Sequence, residues 1–230
     1  MSPLDEGGIR RSSGCYESLC NGEAAGVEER WEMTEFDGRR QVESVRHARP
    51  VGITLSVESL QDADQFLHCA VRWEQKHPAP DVVLYADYEF AGKTLTVKRH
   101  WGEEEDRCPD IPVDFVFSPL MRIYNGSVIR QLEAQGGESR VCVPWLTNPE
   151  QLQQLLLPSY SERRVLHMGS DSWSVDGTDV ACDRYEYSGG EYPLGTHFWV
   201  DATGVMLGYR WQQDRNTLWE IRLQDYLPAP

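Results

Sequence analysis

The sequence contains no long apolar run and has little positive charge. No apolar stretch approaches the roughly 20 residues that span a bilayer. The 22 basic residues are outnumbered by 37 acidic ones, and the formal net charge is −15. Such a balance repels phosphate backbones and anionic lipids, so we expect no nucleic-acid partner and no membrane. Arg10 and Arg11 are followed by a polar stretch rather than an apolar signal core, which predicts a cytoplasmic protein.

Short motifs that indicate a known chemistry are also missing. There is no GxxxxGK[ST] phosphate loop, no GxGxxG after a strand, no GxSxG nucleophile elbow and no HExxH. The six histidines show no metal-ligand spacing, which leaves only convergence of distant residues as a route to a metal site. The six cysteines contain no CxxC pair and are expected to be free thiols. The sequence therefore predicts no cofactor and no metal.

Apolar and polar residues alternate along most of the chain from residue 30 onward. Leu67, Cys69, Val71 and Trp73 illustrate the period of two, which is typical of antiparallel strands with one face in water. The same alternation recurs at 84–90, 95–101, 205–211 and 219–223. Roughly a dozen such strands exceed what a flat sheet accommodates. The pattern predicts an all-β fold, a large antiparallel β-barrel or half-barrel.

The two ends of the chain differ in composition. Residues 1–26 are rich in Gly, Ser and Glu and are predicted to be a disordered N-terminal tail. Residues 27–230 are predicted to form a single β-barrel domain. One short helix is expected at 149–157, where Asn148 can cap the first turn and Pro158 ends the apolar stripe. The segments 121–124 and 127–134 are assigned to strands around an Asn125-Gly126 turn.

The stretch GTDVACDRYEYSGGEYPLGTHFWVDATGVMLGYRWQ, residues 177–212, resembles the meander of lipocalin-like and LolA-like barrels. An Arg-Tyr-x-Tyr strand is followed there by a Trp-x-Asp-x-x-Gly hairpin, and the rest of the chain shares only the strand rhythm. Such barrels bind lipids, carotenoids or polyketides, and small cytoplasmic examples in natural-product pathways act as cyclases, including spiroacetal-forming ones. The resemblance therefore implies a lipocalin-like barrel and allows a cyclase. The N-terminal Gly-x-Trp signature of true lipocalins is not present.

Three charged residues fall on apolar strand faces. Arg99 lies between Val97 and Trp101 in the alternation, and Arg184 and Glu186 continue a strand face that begins as apolar. Buried charges need a partner, so one interpretation is a structural salt bridge at a barrel end. The other is a catalytic site in one apolar cavity, where a desolvated Glu186 acts as general acid and an arginine stabilises an oxyanion.

Aromatic residues on the same faces are candidates for ligand contacts. The sequence has eight Trp and ten Tyr, spread along the strands. In a wide barrel they either fill the core or line a cavity for a large organic molecule. The predicted ligand-binding residues are Trp73, Tyr88, Trp101, Trp199, Tyr209 and Trp211.

Two functions from different classes agree with this inventory. The first is a cofactor-independent cyclase of a hydrophobic polyketide-type substrate, which works mainly by holding a flexible chain in a reactive conformation. The alternative is a non-catalytic carrier for an apolar small molecule, and a purely structural domain is a third. The expected partner is a hydrophobic small molecule, except for a structural domain, which needs none. The protein is expected to be a monomer or homodimer.

Overall fold

A computed structural model describes residues 9–63, 65–76, 81–146, 148 and 150–229 of the chain. Strands make up 68% of the structure, which confirms the all-β class. Within the described residues, sixteen strands belong to one sheet, accompanied by one α-helix and two short 3₁₀ turns. None of the described helices has the length and apolar character needed to cross a bilayer.

The strands follow one another along the chain with short connections. Those of the first half are β1 (Arg10–Cys20), β2 (Glu23–Phe36), β3 (Arg39–Ala48), β4 (Ile53–Asp62), β5 (Gln65–Gln75), β6 (Val82–Ala91), β7 (Thr94–Trp101) and β8 (Glu104–Arg107). Those of the second half are β9 (Ile111–Pro112), β10 (Val116–Phe117), β11 (Glu138–Pro144), β12 (Pro158–Val175), β13 (Thr178–Ser188), β14 (His197–Asp201), β15 (Met206–Asp214) and β16 (Thr217–Leu227). The helix, α1, spans Asn125–Ala134, and the 3₁₀ turns span Arg49–Val51 and Arg122–Tyr124.

The order of the strands in the sheet follows the chain but starts in its middle. From edge to edge it runs β10 to β16 and then β1 to β8, with β9 beside β7. The first and last strands therefore pair with each other inside the sheet, and its two edges come from residues 104–117. In the part of the chain that the structure describes, no pairing joins these edges. The sheet curls because strands twist, and the result is a β-barrel or half-barrel, as predicted.

Tight turns set the register of the hairpins. Asp37 and Gly38 join β2 to β3 with φ angles of 49° and 75°. A two-residue turn with both φ angles positive matches the twist of the flanking strands and favours Asp-Gly or Asn-Gly. Asn21 and Gly22 join β1 to β2 in the same way, with φ angles of 52° and 83°. The first hairpin was predicted and the second was not.

The predicted disordered tail is wrong for residues 10–26, which form β1 and the start of β2. Strand β1 pairs on one side with β16 and on the other with β2. Strand β1 has few apolar side chains because a small residue in it packs beneath large side chains of the two neighbouring strands. A Cβ atom on Gly14 would lie 2.7 Å from Leu223 and 2.9 Å from Trp31. Residues 1–8 of the predicted tail lie outside the described part of the chain.

Among the described residues the α-helix is α1, and the predicted helix at 149–157 is wrong for residues 150–157, which form no α-helix. The Asn125-Gly126 pair is buried and opens the helix rather than a hairpin. A Cβ atom on Gly126 would lie 2.1 Å from the carbonyl oxygen of Gly204, so glycine allows the helix to approach that turn closely. Val128 and Leu132 are buried one helical turn apart.

The segment from Gln151 to Leu157 forms consecutive turns. Asn148 does cap it, since its Oδ1 accepts from the backbone N–H of Glu150 at 3.0 Å; Pro149 lies outside the described residues. A stretch this short is a marginal helix, and the sheet competes for its carbonyl groups. The carbonyl of Leu155 accepts from Arg99, and that of Leu156 accepts from the Tyr88 hydroxyl. The segment is held as a plug against β6 and β7.

Candidate cavity and the placement of the predicted residues

A cavity of about 680 Å³, partly open to solvent, lies beside the start of β12. Its walls come from the turn before α1, the chain after β11, the loop between β13 and β14, and β3 and β15. The aromatic residues that line it are Trp145, Tyr192, Tyr209 and Trp211, and the charged ones are Arg46, Arg122, Arg163 and Glu191. Asn125, Ser159 and Ser161 add polar groups, and the remaining residues are apolar or glycine.

The aromatic wall is an ordered row of rings. Tyr209 stacks on Phe198 with ring centroids 4.7 Å apart and on Trp211 at 5.4 Å. Tyr192 meets Tyr209 edge-on at 6.0 Å. Tyr209 and Trp211 are two residues apart on β15, so the strand sends both rings to one face. Burial raises the pKa of Tyr192 well above its usual value, and at neutral pH its hydroxyl is protonated.

Arg46 is neutralised by a fully buried carboxylate. Its Nε and Nη2 lie 3.0 and 2.7 Å from Glu29 Oε2, and Nη2 also donates to the carbonyl of Leu120. The other carboxylate oxygen of Glu29 accepts from Ser44 and from the backbone N–H of Ile123. Burial lowers the pKa of Arg46, but Glu29 more than offsets this, and the net shift is upward.

Arg163 also has all the partners it needs. The side chain is 3% exposed. Its Nε donates to Ser161 Oγ at 3.0 Å, its Nη1 to the Tyr187 hydroxyl at 3.2 Å and its Nη2 to Glu191 Oε2 at 2.9 Å. The guanidinium lies over the rings of Tyr187 and Tyr192. Burial lowers the pKa of Arg163, but Tyr187 and Glu191 raise it by more. The net shift is upward, so the guanidinium stays charged.

Arg122 differs from the other two arginines of the cavity. It is 7% exposed, and its Nη2 donates to Ser18 Oγ at 2.7 Å, but its Nη1 is buried and has no hydrogen-bond partner in the described part of the chain. Neither Glu29 nor Glu191 is paired with it, since Glu29 binds Arg46 and Glu191 binds Arg163. Burial, together with the positive charge of Arg46, lowers the pKa of Arg122.

Arg99 is buried on the interior face of β7, as the alternation predicted, but it does not line the cavity. Its Nη1 donates to the carbonyls of Gln153 and Leu155 at 2.9 and 2.8 Å, and its Nη2 binds Asp106. These bonds hold the 151–157 plug on the sheet. The structural interpretation of Arg99 therefore fits its contacts, whereas the predicted catalytic position does not.

Arg184 and Glu186 lie on the opposite face of β13 from the interior, so the prediction of one shared cavity is wrong. Arg184 is 40% exposed and its Nη1 lies 3.8 Å from Asp171. Glu186 accepts from the backbone N–H of Gly195 at 3.3 Å in an exposed position. Tyr185 and Tyr187 occupy the interior instead. By alternation alone, either Arg184 and Glu186 or Tyr185 and Tyr187 could have faced the interior. The tyrosines do, because burying two tyrosines costs less than burying two charges.

The six predicted ligand residues separate into three groups. Tyr209 and Trp211 line the cavity. Trp73 and Tyr88 are fully buried in the core, and Trp101 lies over the Arg99 guanidinium at 5.2 Å. Trp199 packs on Trp173 with ring centroids 4.3 Å apart, and its Nε1 donates to Asp171 at 3.0 Å. Only the first group can contact a molecule in this cavity.

The sequence reasoning missed the three arginines that line the cavity. Arg46 and Arg163 carry the same signal that identified Arg99, which is a charge at an inward position of an alternating strand. Arg163 lies two residues from the buried Val165, and Arg46 lies two residues from the buried Ser44. Arg122 follows no strand period because it lies in a 3₁₀ turn, and only the tertiary structure places it. Among the described residues, no group of three or more His, Cys, Asp or Glu side chains is arranged to hold a metal ion.

Comparison with known proteins supports the fold and leaves the function open. No protein-family model and no curated protein matches the sequence. The chain is similar in structure to a β-barrel-like protein from Brucella abortus, a domain of unknown function named DUF1849. The TM-score is 0.51 at 10% identity, over 96% of this chain and 98% of that one. A likeness at this identity concerns the fold alone, and it supports a β-barrel-like architecture for this chain.

Proposed function

We propose that this protein binds a small, mainly apolar organic molecule in the cavity beside β12. The observation that carries the proposal is the cavity itself, about 680 Å³ and walled by four aromatic side chains. Binding sites for small molecules are typically concave spaces of roughly 300–1,000 Å³ with apolar walls and a few polar groups. This cavity has that size and that composition.

The ordered aromatic row supports binding because its rings are packed on one another. Tyr209 is fixed between Phe198 and Trp211, and Tyr192 closes on it from the loop after β13. Rings that are held by their neighbours lose little side-chain entropy when a ligand binds. The resemblance of residues 177–212 to lipocalin-like and LolA-like barrels, which bind apolar molecules, is in accord with this proposal.

The geometry of the cavity favours a carrier. The polyketide cyclase stays a prediction. Dehydrative cyclisation needs an acid that can transfer a proton within the cavity. Glu191 is the one carboxylic acid among the described lining residues, and it is 55% exposed and paired with Arg163. Arg99, Arg184 and Glu186, the residues assigned to catalysis, lie elsewhere. The cytoplasmic location and the monomeric or homodimeric state also stay predictions.

Two measurements test the binding function. Native mass spectrometry of the purified protein should show an additional bound mass. N-phenyl-1-naphthylamine, a neutral apolar dye, should gain fluorescence on titration with the protein. Ser159→Trp, which adds a bulky ring to the cavity wall, is expected to weaken dye binding by about tenfold or more, since a filled site loses the contacts that hold the dye.

Ser174→Trp is the matched control. Ser174 lies on the same strand, β12, but is exposed and outside the cavity. The control variant should bind the dye as the unmodified protein does. Dye binding that is lost equally in both variants, or that survives in Ser159→Trp at full strength, would show that the cavity is not the binding site.

A further inference from the structure

The arginines of the cavity exceed its carboxylates. Arg46, Arg122 and Arg163 line it, whereas Glu29 and Glu191 are the carboxylates bound to them. Three positive and two negative charges leave one positive charge in excess. The sign of this excess is opposite to that of the whole molecule, whose formal net charge is −15. It is therefore a local feature of the cavity.

The excess charge is located at Arg122. Arg46 and Arg163 each have a carboxylate partner, and every nitrogen of Arg163 has a hydrogen-bond acceptor. Arg122 donates to the Ser18 hydroxyl and also interacts with the Tyr209 hydroxyl, but among the described residues its Nη1 has no hydrogen-bond partner. A guanidinium carries five N–H donors and no acceptor. The N–H groups on Nη1 are therefore open to an oxygen that arrives from outside the protein.

Holding such a group in the protein has a cost. A buried charge without a counter-charge is destabilising, and the lowered pKa of Arg122 reflects that environment. Arg46, which is also buried but has Glu29 beside it, shows the opposite shift. A negatively charged group in the cavity would supply to Arg122 what Glu29 supplies to Arg46.

Resting on the binding function proposed above, we propose that the ligand is an amphiphile whose oxyanion head group is bound by Arg122, with its apolar body against the aromatic wall. Asn125 is a second donor for the head group: it lines the cavity, is 7% exposed, and its Nδ2 makes a long contact of 3.7 Å with the Met206 sulfur. Trp145 and Trp211 lie on the same cavity and would contact the body. A carboxylate, sulfate or phosphate monoester head group has the required oxygen.

Three ligands of equal chain length test this assignment. Decanoate, decanol and decylamine share an apolar body and differ in the charge of the head group. Each is used at neutral pH to displace N-phenyl-1-naphthylamine from the unmodified protein. Decanoate is expected to bind about tenfold more tightly than decanol, because a charge-assisted hydrogen bond is added, and decylamine should bind more weakly than either.

Arg122→Gln and Arg210→Gln form the matched pair of variants. Arg210 carries the same charge on β15, but it lies over the Trp173 and Trp199 rings and binds Glu220, away from the cavity. Arg122→Gln should reduce the preference for decanoate over decanol to about threefold or less. Arg210→Gln should keep it. Should Arg122→Gln fail to fold, the preference of the unmodified protein still decides the question.

Equal affinity for decanoate and decanol, or tighter binding of decylamine, would overturn the anionic head group while leaving the binding function intact. An Arg122→Gln variant that keeps the full preference would do the same. Failure of the dye and of all three ligands to bind would instead contradict the binding function itself. The two proposals can therefore fail separately.

Discussion

The Tyr16 hydroxyl donates to the backbone carbonyl of Met206 at 2.8 Å, and so connects the first strand with the last third of the chain. Both residues are fully buried. Tyr16 lies on β1 opposite Leu223 of β16 and Glu29 of β2, so it is held from both sides by backbone pairing as well. The N-terminal region is thus an interior part of the sheet.

A truncation that begins at Val27 is therefore expected not to fold. It removes β1 and residues 23–26 of β2, and it leaves the facing edges of β16 and the rest of β2 unpaired, with their backbone groups and apolar side chains exposed. A truncation that begins at Ile9 keeps β1 whole and is the control. Circular dichroism melting of both proteins checks this, and cooperative unfolding of the shorter protein at an unchanged temperature would contradict it.

Tyr16→Phe tests the single contact. The substitution keeps the ring and removes the hydroxyl, so the buried carbonyl of Met206 loses this donor. The free energy of unfolding should fall by about 1–2 kcal/mol, the usual cost of such a loss. Tyr85→Phe, at an exposed tyrosine, serves as the control. Urea titrations of both variants give the comparison.

Arg99→Met is expected to destabilise the fold rather than alter ligand binding. It removes the donor to the carbonyls of Gln153 and Leu155 and releases the 151–157 plug from β7. A loss of about 2–4 kcal/mol in the free energy of unfolding is expected, because buried acceptors are left without a partner. Arg107→Met, at an exposed arginine whose salt bridge to Asp110 lies at the surface, should change it by about 0.5 kcal/mol or less. A stable Arg99→Met protein with impaired ligand turnover would restore the catalytic interpretation.

Gly208→Ala is expected to be destabilising because two groups occupy the space of the added atom. A Cβ there would lie 2.6 Å from Cζ2 of Trp173 and 2.7 Å from the carbonyl oxygen of Ile221. Overpacking of this kind costs about 1–3 kcal/mol. Trp173→Phe in the same protein should recover part of the loss, because it removes one of the two clashes. A double-mutant cycle by chemical denaturation measures the coupling, and strict additivity would contradict the contact.

Alkaline pH should unfold the protein as its buried tyrosines ionise. Eight of the ten tyrosines have a raised pKa, and for Tyr187 burial raises it from 10.0 to about 12. A raised pKa means that the folded state favours the neutral phenol, so this contribution to stability is complete below pH 10 and is lost as the pH rises toward 12. Absorbance at 295 nm should show fewer ionised tyrosines at pH 11 in the native protein than in guanidinium. Full ionisation near pH 10 with the fold intact would contradict the prediction.

Local pattern was enough to predict the class of the fold. The alternation at 69–73, 84–90 and 95–101 matches the interior face of β5, β6 and β7, where Trp73, Tyr88 and Arg99 are all buried; at the start of β5 a register shift buries Phe66 in place of Leu67. Asp37-Gly38 formed the predicted turn because its two residues tolerate positive φ angles. A strand period and a turn preference depend on neighbours in the sequence, and those are visible without coordinates.

The same local reasoning could not choose between alternatives with similar local patterns. Residues 125–134 and 151–157 each carry apolar residues at helical spacing, and contacts decided which became the helix. Gly126 could approach Gly204, whereas the carbonyls of the 151–157 segment were taken by Arg99 and Tyr88. Tyr185 and Arg184 had equal claims to the interior on parity, and the cost of burying charge decided between them.

By itself the sequence determined an all-β chain with inward aromatic residues, an inward Arg99 and an acidic surface. Only the tertiary structure decided that β1 lies inside the sheet and that Arg46, Arg122 and Arg163 meet at one cavity. These arginines are far apart in the chain: Arg46 lies on β3, Arg122 in a 3₁₀ turn and Arg163 on β12. Their meeting depends on how a sixteen-stranded sheet curls and on which side chains fill its interior, and these are sums over contacts that no short segment contains.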